Sequence, residues 1–172
     1  LVMIPRILVS GRRVAEVINT EITISDGPID KMDDNPTIEF KDVVYTYPGS
    51  EKETLKDINF KLEKGKTTAI IGGTGSGKST ILNLIPRLQD VTDGEIQVNG
   101  KNIKEYKLSV IRDRISYAPQ KAILFEGTIR SNMLIGKGDA SDEEIEKALD
   151  MAEVDFIESL DDGVSQGASN FS

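Results

Sequence analysis

The chain has 172 residues, 38% apolar and 29% charged, the composition of a folded globular chain rather than a disordered one. Its formal net charge of −8 argues against general affinity for nucleic-acid phosphates, which relies on clustered cations. With no cysteine and no histidine, it can build no disulfide, no thiolate or imidazole metal site, and no Ser-His-Asp or Cys-His centre.

The opening LVMIPRILVS is apolar, but Pro5 and Arg6 interrupt it. No run approaches the roughly 18 apolar residues that a membrane-spanning helix requires. Over residues 6–19, Ile7, Val14, Val17 and Ile18 fall at near-helical spacing with Arg12, Arg13 and Glu16 elsewhere on the wheel. That spacing predicts a short amphipathic helix, weakened at Gly11. Residues 25–36, with Pro28, Pro36 and several aspartates, read as a linker.

TIEFKDVVYTY then alternates through Ile38, Phe40 and either Val43 or Val44, which predicts a half-buried strand. A turn at Tyr47–Ser50 leads into a second alternating strand carrying Leu55, Ile58, Phe60 and Leu62. TTAIIG, residues 67–72, is a short apolar run of the kind that sits inside a sheet. STILNLIPRL is predicted helical until Pro86, and EIQVNGKNI is predicted to be a hairpin turning at Asn99-Gly100. RISYAPQ reads as a further strand stopped by Pro119. From residue 126 the pattern turns helical in TIRSNMLIG, SDEEIEKALDMAEV and DFIESL, with Ser141 and Glu144 spaced as a capping box. The fold class is therefore α/β: antiparallel strands first, a strand–loop–helix core, then the beginning of an all-helical piece.

Gly72 to Ser79, GGTGSGKS, fits G-x-x-x-x-G-K-[ST], the P-loop. Glycines leave bare backbone for oxygens to approach, so successive amides of Gly73, Thr74, Gly75, Ser76 and Gly77 can ring an anion. The amides of Lys78, Ser79 and Thr80 open the following helix, whose positive end faces the same spot. Lys78 can reach terminal phosphates, and the Ser79 hydroxyl can ligate Mg²⁺. The guanine-binding signatures D-x-x-G and N-K-x-D do not occur, so a GTPase is not indicated.

With these motifs in view, the chain resembles the nucleotide-binding domain of an ABC transporter of the exporter type. VVYTYPG, residues 43–49, is similar to the A-loop, whose aromatic residue stacks on adenine; Tyr47 holds that position. ISYAPQKAILFEGTIRSNM is similar to the exporter Q-loop and maps Gln120 onto the residue that contacts Mg²⁺ or the attacking water. The final ASNFS resembles the start of the signature motif.

The resemblance implies a RecA-like P-loop NTPase core with an antiparallel β subdomain and the first part of a helical subdomain, ending before the signature is complete. It implies that residues 1–20 are the cytoplasmic end of the last transmembrane-domain helix and 21–36 a linker. Residues 37–125 would then be the ATP-binding core, and 126–172 the first helical part. It implies ATP and Mg²⁺ as cofactors, Lys78 and Gln120 as catalytic residues, and Ser79 and Gln120 at the metal. Partners implied are the chain's own or a partner transmembrane domain and a second nucleotide-binding domain, identical or different, at the cytoplasmic face of a cell membrane.

The Walker B aspartate, the catalytic glutamate and the switch histidine are expected downstream of Ser172, so the 172 residues alone are expected to be inactive. Two positions depart from the pattern: Lys121 stands where an acidic residue is common, and Gln166 replaces a glutamate ahead of the signature. A soluble ABC-type ATPase without membrane spans and a non-catalytic nucleotide-binding regulatory module stay open as alternatives.

Overall fold

In the computed structural model, which describes residues 3–34, 36–121 and 123–165 (side chains from residue 8 onward), the run after Thr37 forms β1 (Ile38–Tyr45). β1 pairs antiparallel with β2 (Leu55–Leu62) on one side and β3 (Asp93–Val98) on the other. A short β4 (Lys101–Asn102) closes the order β2-β1-β3-β4. The predicted Asn99-Gly100 turn joins β3 to β4, with φ of 51° and 77° at the two residues, the signs a type I′ turn requires.

Alternation in β1 is broken on purpose at Asp42, whose φ is 48°, and the register shifts between Phe40 and Val43. The Asp42 amide donates to Asn59 Oδ1 at 2.9 Å, and Asn59 Nδ2 donates back to Asp42 Oδ1 at 2.9 Å. This bulge inserts one residue, so Phe40 and Val43 turn to the same buried face and Val44 is left half-buried. Opposite it, a Cβ on Gly94 would lie 2.2 Å from the Asp42 carbonyl oxygen, so only bare backbone fits there.

The first unit, residues 1–116, buries one core beneath this sheet. Phe40 stacks on Phe60 at 4.3 Å between ring centroids, and α2 (Lys78–Leu84) contributes Ile81 and Leu84. α2 ends before Pro86, as predicted, because proline cannot donate into the last turn. The opening helix also forms, as α1 (Met3–Ile18), with residues 8–20 all exposed. The first part of segment 25–36, residues 25–29, is held rather than loose. Gly27 and Ile29 donate their amides to the carbonyls of Tyr106 and Glu105 at 3.1 and 2.9 Å, just ahead of α3 (Leu108–Arg112). Arg87, 3% exposed, grips both Asp90 oxygens at 2.8 and 3.1 Å and donates to the Ser25 carbonyl at 3.0 Å.

The second unit, residues 117–172, pairs β5 (Gly127–Thr128) with β6 (Gly163–Val164). α4 (Ile129–Gly136) and α5 (Asp142–Met151) form where the helical pattern predicts them, and Ser141 and Glu144 make the expected capping box. Ile129, Ile145, Leu160 and Val164 form its core.

Three expected elements do not form. TTAIIG takes no regular structure: Ile70 packs on the core while Ile71 is 93% exposed, and no described strand lies beside the run to accept a ladder. RISYAPQ likewise pairs with no strand among the described residues, and its first residues close turns instead, Arg114 and Ile115 donating to the carbonyls of Ile111 and Arg112. DFIESL is not a helix. The Asp162 carboxylate accepts the amides of Glu158 and Ser159 at 3.0 and 2.9 Å, a local turn that competes with helical bonding. No helix among the described residues is long and apolar enough to cross a membrane.

Candidate functional site

The loop from Gly72 to Ser79 lies between the unpaired run 67–72 and α2, on a foundation set by β2. Gly75 and Gly77 take φ of 78° and 87°, and Gly77 is buried against Leu55. A Cβ on Gly77 would stand 2.5 Å from Leu55 Cδ2, so the residue is glycine for two independent reasons. At Gly73 and Gly75, by contrast, a Cβ would meet nothing within 4 Å: that side of the loop is open. The Ser76 amide donates to the Gly73 carbonyl at 3.3 Å, which folds the loop over. The amides of Gly75, Gly77, Lys78 and Ser79 meet no protein acceptor among the described residues.

Lys78 arches back over this loop. Its Nζ donates to the carbonyls of Gly72 at 2.8 Å and Gly73 at 2.7 Å, and lies 3.4 Å from Ser76 Oγ. A hollow of about 280 Å³ opens beside it, lined by Tyr47, Thr54 and residues 75–80. Lys78 carries the one formal charge among those lining residues, in a chain of net charge −8. Donors without acceptors, one ammonium and no carboxylate suit an anion of several oxygens.

Tyr47 reaches the same hollow from the end of β1. Its hydroxyl lies 3.0 Å from Thr80 Oγ1, and its ring meets the Tyr45 ring edge-on at 4.9 Å and 87°. Tyr45 is 4% exposed, and burial, then the neighbouring Tyr47, raise its pKa. The sequence-predicted residues Tyr47, Gly75, Ser76, Gly77, Lys78, Ser79 and Thr80 therefore line one hollow, with Gly73 and Thr74 on the adjoining loop. Two contributors were missed. Thr54 lines the hollow and donates its amide to the Tyr45 carbonyl at 2.8 Å, and nothing in its local pattern marks it. Tyr45 was legible, since residues two apart along a strand share a face.

Gln120 is exposed and belongs to the second unit, while the hollow is built from the first alone. Gln166 and the residues of ASNFS lie outside the described residues. Among the described residues no group of three or more acidic, His or Cys side chains could hold a metal ion, so the loop's own candidate ligand is the Ser79 hydroxyl.

The profile of the ABC transporter family matches residues 55–172. A putative multidrug export ATP-binding/permease protein of Staphylococcus aureus is 44% identical over 127 residues, 73% of this chain and 22% of that protein. The ATP-dependent permease MDL1 of Candida albicans is 38% identical over 166 residues, 94% of this chain and 24% of that protein. The chain thus spans about a quarter or less of the length of these curated relatives. Among solved structures, a bacterial Atm1-family ABC exporter with ATP bound superposes with a TM-score of 0.84 at 28% identity, covering 96% of this chain and 30% of the exporter. A family profile that spans most of the chain and takes in the loop, its lysine and the helix behind it leaves one assignment: this chain belongs to the ABC transporter family.

Proposed function

We propose that the chain is the ATP-binding part of an ABC exporter, and that ATP binding and hydrolysis in the whole protein drive export across a membrane. The observation that carries the reading is the hollow at residues 75–80, lined by Tyr47, by Lys78 and by residues whose amides meet no protein acceptor among the described residues. The loop amides and Lys78 grip the β- and γ-phosphates, with Nζ exchanging the Gly72 and Gly73 carbonyls for phosphate oxygens. The Tyr47 ring stacks on adenine. The Ser79 hydroxyl and Gln120 would hold Mg²⁺, which when bound neutralises charge between the phosphates. Gln120 orients the attacking water, its amide donating and accepting without titrating.

In the whole protein, residues 67–72 act as a strand of a RecA-like core whose neighbours come from outside the chain; the bare Ile71 supports this. α1 is the cytoplasmic end of a transmembrane-domain helix, and segment 25–36 docks it to the cassette. A second nucleotide-binding domain closes over the ATP.

Among the described residues no carboxylate lines the hollow. Hydrolysis needs one to hold the metal and another group to position water, so the 172 residues alone release no phosphate above background. In the intact protein, ATP hydrolysis is measurable and Lys78→Ala abolishes it. Phosphate release from the 172-residue chain that disappears in its Lys78→Ala variant would contradict this division of labour.

A further inference from the structure

Tyr47 lies beyond the last paired residue of β1, in a turn closed by its own carbonyl accepting from the Ser50 amide at 2.9 Å, and is 38% exposed. Neither a ladder nor a closed core fixes its ring. Two contacts do. The Tyr45 ring packs against it at a near-right angle, and Thr80 holds its hydroxyl. Thr80 is 3% exposed, unlike Lys78 and Ser79 just before it, and a β-branched residue on a helix has few rotamers to choose from. It is therefore a rigid anchor, on the helix that follows the phosphate loop.

The hydroxyl also needs explaining. Stacking on a base uses a flat apolar face, for which a phenyl ring would suffice. What tyrosine adds here is a second attachment point at the far end of the ring. A ring with two side-chain torsions, restrained at two places, loses less rotamer freedom when a base arrives.

Resting on the ATP-binding reading, we infer that Thr80 is a positioning residue for base recognition: through its bond to the Tyr47 hydroxyl it holds that ring ready to stack. The phosphate loop and the base-reading ring are thereby joined in one mechanical unit, with α2 as the shared part.

The test compares the intact protein with Tyr47→Phe, Thr80→Val, Thr80→Ser and the Tyr47→Phe/Thr80→Val pair, titrating Mg-ATP and inorganic tripolyphosphate separately. Loss of one neutral hydrogen bond should weaken ATP binding about two- to ten-fold in Tyr47→Phe and in Thr80→Val, and no further in the pair. In Tyr47→Phe tripolyphosphate affinity should not change, and Thr80→Ser, which keeps the hydroxyl, should retain wild-type ATP affinity. Tyr47→Phe removes the bond from the exposed end, so the inference stays testable even where Thr80→Val fails to fold. Additive losses in the pair, unaltered ATP affinity in Tyr47→Phe, or equal losses for tripolyphosphate and ATP in Tyr47→Phe would overturn it. An unmodified protein that binds tripolyphosphate but not ATP overturns it together with the base-stacking role of Tyr47; one that binds neither overturns the ATP-binding reading itself.

Discussion

Gly77 sits where the loop and the core ask for the same space. Its backbone is left-handed at φ 87°, and Leu55 from β2 stands where a side chain would begin. Gly77→Ala should therefore cost at least about 1–2 kcal/mol from the backbone alone, with repacking of Leu55 added. A urea unfolding series reads this as a lower midpoint, and an unchanged midpoint would show that the loop relaxes freely. Lys78 beside it illustrates a different economy: its ammonium is already hydrogen-bonded to two carbonyls, so it is held over the loop before any phosphate arrives. The motif spacing announced both residues. It could not announce Leu55, Thr54 or the Tyr47–Thr80 bond, because those contacts join positions far apart in the chain and depend on how β1 and β2 pack against α2.

The elements that formed as read are those whose signals are local. The Asn99-Gly100 turn, the helix stop at Pro86 and the Ser141 capping box each depend on a few adjacent residues. Val43 and Val44 could not be told apart by alternation, because the bulge at Asp42 resets the period and is held by Asn59 from the neighbouring strand. Residues 67–72 and 114–120 carry strand-like composition, but a strand exists only with a partner, and none is described beside either. Residues 155–160 carry helical spacing, yet one aspartate two positions downstream captures their amides.

α5 offers a pH test. The Glu144 carboxyl is held below its ordinary range by a hydrogen bond from Lys137 at 2.6 Å and by the Ser141 amide at 3.0 Å. A carboxyl whose folded pKa is depressed adds stability that is present above its unfolded pKa and is lost as pH falls through the folded one. The urea midpoint of wild type should therefore exceed that of Glu144→Gln near neutrality, and the gap should close as pH drops through and below the glutamate range. A gap that persists in acid would mean that the charge is not what holds the first turn of α5.

Taken whole, the chain pairs an acidic surface with a phosphate loop whose hollow carries a single positive charge. General attraction for anions is thus low, and affinity is concentrated where amides and Lys78 converge. The family assignment rests on the profile across residues 55–172, and the exporter function proposed for the whole protein rests on a chain that spans 22–24% of two relatives' lengths. Both lead to the same physical claim, that this loop grips a triphosphate. Isothermal calorimetry of the intact protein with Mg-ATP, run beside its Lys78→Ala variant, tests that claim most directly. The account predicts saturable heat from wild type and binding about 10–100-fold weaker in the variant, the effect of removing a charge-assisted hydrogen-bond donor. No saturable heat in wild type, or matching isotherms from the two proteins, would contradict it.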